Sequence, residues 1–161
     1  MRILGVDPGT ATTGFGVIEH ERGQFAFVDA GVITTPAGQE MPKRLITLHE
    51  ELAQVVRDTQ PDQAAVELLY FSTNVTTAIS VGQARGVILL TLAEAGLIPA
   101  EYTPMQIKQA VTGYGGAKKP QMQEMVRVLL KLPTIPKPDD AADALGIAIT
   151  HANQAKTVPL I

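Results

Sequence analysis

The stretch MRILGVDPGTATTGFGVI, residues 1–18, decides the fold of this 161-residue chain. Residues 3–6 form a short apolar run with β-branched members, which predicts a buried strand that ends at Asp7. A Pro-Gly pair then turns the chain, and residues 12–18 predict a second strand. The two strands should form an antiparallel hairpin. Two glycines on its second strand leave room for something to lie close against the backbone.

Two carboxylates occupy strands in which a charge is costly. Asp7 lies at the tip of the first strand, and Glu67 lies in the apolar run QAAVELL, residues 63–69, which predicts a second buried strand. A buried carboxylate must be paired, hydrogen-bonded or bound to a metal. Alternatively, the Asp-Pro-Gly sequence could place Asp7 in an ordinary surface turn, and an edge strand could direct Glu67 to water.

A second pair of acidic residues begins the last predicted helix, residues 139–153. Asp140 and Asp143 are three residues apart, so both project from one side of its first turn. Acidic residues at a helix N-terminus are also favoured by the dipole, for ~0.3–1 kcal/mol each. We assign Asp139 to capping of this helix, but capping and the dipole account less well for a second, inward pair.

We call Asp7, Glu67, Asp140 and Asp143 the acid tetrad. In an α/β fold, strand ends and a helix N-terminus can meet at one edge of the sheet. Four clustered carboxylates repel one another unless hard cations neutralise them, and oxygen ligands suit Mg²⁺ or Mn²⁺. Two such ions about 3.5–4 Å apart can clamp the attacking and leaving oxygens of a phosphodiester.

The rest of the chain alternates strands and helices, which indicates one α/β domain over residues 1–153 and a short tail over residues 154–161. Further strands are predicted over residues 24–34, as one bent strand, and over 97–102. Helices are predicted over residues 42–59, 75–95, 121–132 and, after a capping box that begins at Thr103, around Lys108. Gly82 and Gly86 within a predicted helix suggest the close approach of another backbone, either the sheet or a second subunit.

Composition excludes several classes of protein. The chain has no cysteine, which excludes a disulfide scaffold or a zinc ribbon. We see no signal peptide, and the longest uninterrupted apolar run, residues 87–90, predicts no membrane span. These features favour a cytoplasmic protein.

Charge is distributed unevenly along the chain. The net charge is −3, yet residues 105–138 hold six basic residues and one acidic residue, a local charge of +5. A basic segment in an acidic chain is expected of a polyanion site, although a solvated helix face would have the same composition. A site in which lysines bind a polyanion and neighbouring carboxylates bind metal ions would suit a nuclease.

Five motifs make the sequence similar to one family. They are, in chain order, GVDPGTATTGFGVI, VELLYFSTN, VGQARGV, QIKQAVTG and PDDAADALGIAITHA. Together they resemble the RuvC family of bacterial Holliday-junction resolvases, over essentially the whole chain to His151. The resemblance implies an RNase H-like fold with a mixed five-stranded sheet, antiparallel in its first three strands and parallel after them, flanked by helices. It also implies a homodimer that hydrolyses two symmetric phosphodiesters of a four-way DNA junction during recombination and repair.

The resemblance also assigns roles to individual residues. The catalytic and metal-binding acids would be the acid tetrad, with two Mg²⁺ ions per active site and Mn²⁺ as a possible substitute. Lys108 and Lys119 would be the functional lysines, the first held on its capped helix and the second on a mobile loop. Tyr70 would stack on junction bases, and the adjacent Phe71 could share that role. The remaining DNA-binding residues would be Lys118, Arg127 and Lys131. The proteins RuvA and RuvB are the implied partners.

Three alternatives belong to other classes. Asp-x-Gly-Thr also opens the phosphate-binding hairpin of actin-like sugar kinases and chaperones, but those need two such domains and a second glycine-rich loop. A non-catalytic junction-binding protein would have no reason to keep four acidic residues. An RNase H-like nuclease that acts on RNA is the strongest alternative.

Overall fold

The computed structural model describes residues 1–68 and 74–155. Five strands form one sheet in the order β3-β2-β1-β4-β5, and five helices pack on it. The elements are β1 (Arg2–Asp7), β2 (Thr12–Glu21), β3 (Gln24–Thr34), α1 (Met41–Thr59), β4 (Gln63–Glu67), α2 (Val75–Glu94), β5 (Ala100–Tyr102), α3 (Pro104–Thr112), α4 (Lys119–Leu129) and α5 (Asp139–Ala155).

The sheet is mixed, as the sequence predicted. Strand β1 pairs antiparallel with β2 and parallel with β4, and β4 pairs parallel with β5. Strand β3 runs antiparallel to β2 and bends at a bulge, where the register shifts between Val17 and Ile18. Strand β5 is shorter than predicted, because the Leu97 N–H bonds to the helix carbonyl of Leu92 and Pro99 has no N–H to give to a ladder.

Alternation along the strands separates two cores. On one face, Leu4 and Val66 pack against α1 and α2. On the other face, Ile3 and Ala65 pack against α3, α4 and α5. Because side chains alternate along a strand, the odd-numbered residues of β1 and β4 point towards α5.

Helix α5 lies almost in contact with the backbone of the first hairpin. A Cβ atom added to Gly5 would lie 2.1 Å from the carbonyl oxygen of Ala144, and one added to Gly16 would lie 2.6 Å from the backbone nitrogen of Leu145. The glycines of β2 therefore do make room, as predicted, and the element that fills it is the N-terminal half of α5.

Helix α2 has an apolar side that is exposed in the described part of the chain. Val75, Ile79 and Leu90 are exposed, and a Cβ on Gly82 or Gly86 would meet nothing within 4 Å. The two glycines therefore do not serve packing on the sheet.

In the described part of the chain, α2 alone is long and apolar enough to cross a membrane by length and composition, with a mean hydropathy of 1.4, which by itself is weak evidence of a span.

The contact between β2 and α5 can be tested at Gly14. An alanine Cβ there would lie 2.1 Å from the backbone oxygen of Asp140, so Gly14→Ala must displace the start of α5. We expect the free energy of unfolding to fall by about 1–3 kcal/mol, measured by thermal or urea denaturation. Gly38→Ala, where the added atom meets nothing within 4 Å, is the matched control. Equal stability of the two variants would contradict this packing.

Candidate active site

The ends of two neighbouring parallel strands bring the first two acids together. Asp7 ends β1 and Glu67 ends β4, and the parallel register pairs Val6 with Val66 just before them. Both side chains are odd-numbered and project on the α5 face of the sheet. The two carboxyl groups share a hydrogen bond, in which Asp7 donates when it is protonated.

The first turn of α5 completes the cluster. One carboxylate oxygen from each of Asp7, Asp140 and Asp143 lies within 4.8 Å of the others. Helix α5 can place two acids there because Gly14, which pairs with Asp7 in the sheet, leaves space for the Asp140 backbone. The structure therefore brings the whole acid tetrad to one edge of the sheet.

Asp139 has a different role from the capping that the sequence suggested. Asp139 is the first helical residue of α5 and not the residue before it. The N–H of Ala141 donates to the backbone carbonyl of Pro138, rather than to the Asp139 side chain. The Asp139 carboxylate lies 3.3 Å from the Lys137 ammonium and 3.6 Å from that of Lys119. It therefore anchors lysines at the rim of the cluster.

Burial and repulsion from neighbouring carboxylates make Asp7, Glu67 and Asp143 hard to ionise. The pKa of Asp7 is raised to about 9, mainly by burial and in addition by the neighbouring carboxylates, of which Glu67 contributes most. Burial also raises the pKa of Glu67, against the lowering effect of its hydrogen bond to Asp7 and of nearby lysines. The pKa of Asp143 is likewise raised by burial, although Lys119 opposes the shift. The site therefore needs positive charge before these three carboxylates can ionise together.

The donor set fits a divalent cation. It consists of carboxylate oxygens alone, which are the ligands of hard cations such as Mg²⁺ and Mn²⁺. An ion with metal–oxygen distances of about 2.1 Å can bridge oxygens about 4 Å apart, and the three oxygens here lie within 4.8 Å of one another. Residues Asp7, Asp140 and Asp143 form the core of the candidate metal site, and Glu67 adjoins it through Asp7.

Three lysines line the cleft beside the acids. Lys108 and Lys118 share it with Glu67, Asp143 and Lys119. Lys108 projects from α3, whose start is held by the predicted capping box: the Thr103 hydroxyl accepts from the Gln106 N–H, and the Gln106 side chain accepts from the Thr103 N–H. The position of Lys108 is therefore well defined.

Lys119 is more firmly placed than the sequence indicated. Helix α4 begins at Lys119 rather than at residue 121, and the Gln121 side chain accepts a hydrogen bond from the N–H of Lys118. The Lys119 ammonium lies 3.6 Å from a carboxylate oxygen of Asp143. Partial desolvation tends to lower the pKa of Lys119, but the carboxylates of Asp143 and Asp139 raise it overall.

The structure does not bring the remaining candidates into this cleft. Arg127 forms an ion pair with Glu124 and donates to the Leu132 carbonyl at 3.1 Å. Lys131 lies beside the β2–β3 hairpin, on a different surface. The basic segment is thus divided in space. Tyr70 and Phe71 lie outside the described residues.

Sequence reasoning missed two arginines that hold the backbone next to the acids. Arg44 of α1 is 8% exposed and donates to the Thr10 carbonyl at 3.1 Å, three residues after Asp7. The sequence did contain a signal for its burial. Arg44 lies four residues before Leu48, the first buried apolar residue of α1, and therefore on the same face of the helix. Arg85, the only basic residue of α2, donates to the Glu67 carbonyl at 2.7 Å.

Titration of Asp7 gives a prediction for the metal-free protein. Its pKa rises from an ordinary 3.8 to about 9 on folding, so between these pH values the folded state binds more protons than the unfolded state and loses stability as pH increases. Asp7→Asn removes this cost. At pH 8 without metal, its Tm should exceed that of the unsubstituted protein by several degrees, since 1 kcal/mol is worth about 2–4 °C in a domain of this size. The difference should vanish near pH 3.

Asp139→Asn is the control, because a hydrogen bond from Lys137 lowers the pKa of Asp139 and its removal should give no such gain. A Tm of Asp7→Asn at or below that of the unsubstituted protein at pH 8 would contradict a strained acid cluster.

Comparisons with known proteins agree with this geometry. Residues 3–151 match the family model described as "Crossover junction endodeoxyribonuclease RuvC". Proteins of that name from Chloroflexus aggregans and Brevibacillus brevis are 59% and 57% identical over 158 and 152 residues, which cover 98% and 94% of this chain and 96% and 92% of theirs.

The fold agrees as well. The structure described as "T. thermophilus RuvC in complex with Holliday junction substrate" superimposes with a TM-score of 0.93 at 35% identity, over 97% of this chain and 95% of that one. The mixed five-stranded sheet with its helices is therefore the RNase H-like fold that the sequence predicted. The chain belongs to the RuvC family of crossover junction endodeoxyribonucleases.

Proposed function

We propose that this protein resolves four-way DNA junctions by Mg²⁺-dependent hydrolysis of two symmetric phosphodiesters. The observation that carries the proposal is the convergence of the acid tetrad and three cleft lysines at one edge of the sheet, in a chain that matches a junction-cleaving family over nearly its whole length. The similar T. thermophilus protein is described in complex with a Holliday junction, which supports the same substrate for this chain.

Each member of the acid tetrad has a defined task in this proposal. Asp7, Asp140 and Asp143 hold the cation, and Glu67 completes the site. When bound, two Mg²⁺ ions supply charge stabilisation to the attacking and leaving oxygens of the phosphodiester. Oxygen-only ligands and the raised pKa values favour a hard dication, and Mn²⁺ has the same ligand preference.

The lysines of the cleft have two different roles, catalysis and DNA binding. Lys108 is rigidly held, and an ammonium fixed near a scissile phosphate can stabilise the charge that develops there. Lys119 exchanges its ion pairs with Asp139 and Asp143 for contact with DNA. Lys118 binds phosphate at the rim of the cleft. Tyr70 and Phe71 stack on junction bases, while Arg127 and Lys131 contact phosphates farther from the chemistry.

The exposed side of α2 is the proposed subunit interface. Val75, Ile79, Gly82, Gly86 and Leu90 recur at three- and four-residue intervals along one stripe, and the two glycines would let a second helix approach closely. A two-fold dimer through this stripe would present two active sites to a substrate whose cleaved strands are themselves related by symmetry. The apolar exposure of α2 is then an interface between copies of the chain.

The remaining assignments follow from family membership. Helix α5 continues to Ala155, two residues past the predicted boundary, so we infer one catalytic domain over residues 1–155, with residues 156–161 as a tail. RuvA and RuvB are the proposed partners in recombination and repair, in the cytoplasm. Cleavage of RNA remains the alternative to be tested, although the family match does not favour it.

A cleavage assay tests the proposal directly. The protein should cut a synthetic four-way DNA junction at paired symmetric positions with Mg²⁺, and neither cut it with EDTA nor cut an RNA duplex. Asp7→Asn keeps the side-chain size but loses the charge that holds the metal, so it should bind the junction and not cut it. Asp139→Asn should keep cutting. Substantial Mg²⁺-dependent cleavage by Asp7→Asn would refute the metal site, and preference for RNA would refute the substrate.

The dimer is tested at Gly86. Gly86→Leu introduces a large side chain on the outer stripe of α2, where the isolated chain has room for it, and leucine is a better helix former than glycine. Sedimentation should therefore show a folded monomer. Gly38→Leu, also in open space, should stay dimeric. An unchanged dimer in Gly86→Leu would place the interface elsewhere.

A further inference from the structure

Arg85 links helix α2 to the last residue of β4. Its Nη1 donates to the backbone carbonyl of Glu67 at 2.7 Å, and its Nη2 forms an ion pair with the carboxylate of Glu101 on β5. The side chain is 15% exposed, and that of Glu101 is 41% exposed. One guanidinium therefore connects α2 to the last residue of β4, a proposed metal ligand, and to the middle residue of β5.

The segment of α2 that carries Arg85 is held firmly against the core. Ala84, the residue before Arg85, is 2% exposed, and Ile88, one turn later, is fully buried in the core between α2 and the sheet. Guanidinium also holds its donors in a fixed planar fork. Arg85 can therefore impose a position on the Glu67 backbone rather than merely follow it.

The anchored position is where regular structure ends. Glu67 is the last residue of β4, and the next residue, Leu68, is held by one backbone hydrogen bond, at 2.7 Å to the Tyr102 carbonyl. The Arg85 bond is a second restraint at this point. The direction of the Glu67 carboxylate depends on its backbone, so loss of the restraint would let it leave the cluster.

Helix α2 also reaches the other acid-bearing strand. The hydroxyl of Ser80 lies 3.0 Å from that of Thr10, in the loop that follows Asp7. The same helix thus restrains the chain just after β1 and at the last residue of β4. This pattern is expected of an element that sets the spacing between two ligands.

We propose that Arg85 is a positioning residue for Glu67, which holds the carboxylate in place for metal through the bond to the Glu67 carbonyl. This inference rests on the proposed metal-dependent function. Groups that orient metal ligands typically contribute about 10–100-fold to metal affinity or activity, and Arg85 acts on a ligand backbone in the same way.

The test is a Mn²⁺ titration of purified protein by electron paramagnetic resonance, without DNA. Arg85→Met keeps an unbranched apolar stem but removes the guanidinium and with it both donors, so Mn²⁺ affinity should fall about 10–100-fold. The Mg²⁺ concentration for half-maximal single-turnover cleavage should rise by a similar factor, while junction affinity stays unchanged. Arg85→Lys keeps the charge but cannot reach both acceptors, and should give an intermediate loss.

Two controls separate positioning from general loss of structure. Arg57→Met removes an exposed arginine of α1 that contacts Gln54, and should bind Mn²⁺ normally. Glu101→Gln removes the ion pair but leaves the Glu67 carbonyl bond, and should stay close to the unsubstituted protein. A loss in Glu101→Gln equal to that in Arg85→Met would overturn the assignment, because the response would then reflect loosening between α2 and β5.

Failure of this inference can be distinguished from failure of the proposed function. Junction cleavage and Asp7-dependent Mn²⁺ binding by the unsubstituted protein establish that function whatever Arg85 does. If the Mn²⁺ titrations of both Arg85 variants superimpose on that of the unsubstituted protein, the positioning role is refuted, even where Tm falls. If Arg85→Met does not fold, Arg85→Lys decides the question by the same titration.

Discussion

The close contact between α5 and the first hairpin is the constraint on which the rest of this structure depends. Without side chains at Gly5, Gly14 and Gly16, the helix backbone comes within a few ångströms of β1 and β2. Asp140 and Asp143 then reach the ends of strands that carry Asp7 and Glu67. A larger residue at any of these glycines would lift the helix and separate the acids, so the same contact closes one core and assembles the site.

That assembly costs stability, and the surroundings offset the cost. Burial raises the pKa of Asp7 and of Asp143, so their charges are unfavourable when no cation is present. Two apolar cores, one on each face of the sheet, stabilise the frame that holds them. Lys119 compensates part of the negative charge at the mouth. The site is therefore arranged for positive charge, from a metal at its base and from lysines at its rim.

Helix α2 has two sides with different tasks. Its inner side packs on the core and restrains the chain next to the acids through Arg85 and Ser80. Its outer side is an exposed apolar stripe, which is the proposed interface with a second copy of the chain. Assembly of two subunits and positioning of a metal ligand would thus use one rigid element, which is a physical route by which dimer formation and chemistry can depend on each other.

The sequence by itself determined the order of strands and helices, the capping box at Thr103 and the membership of the acid tetrad, because these depend on local periodicity and on short motifs. Contacts through space were decided only by the tertiary structure. They include the pairing of Asp139 with two lysines, the separation of Arg127 and Lys131 from the cleft, and the bond from Arg85 to Glu67. A linear pattern shows that a side chain is charged; which group it meets depends on how distant elements pack.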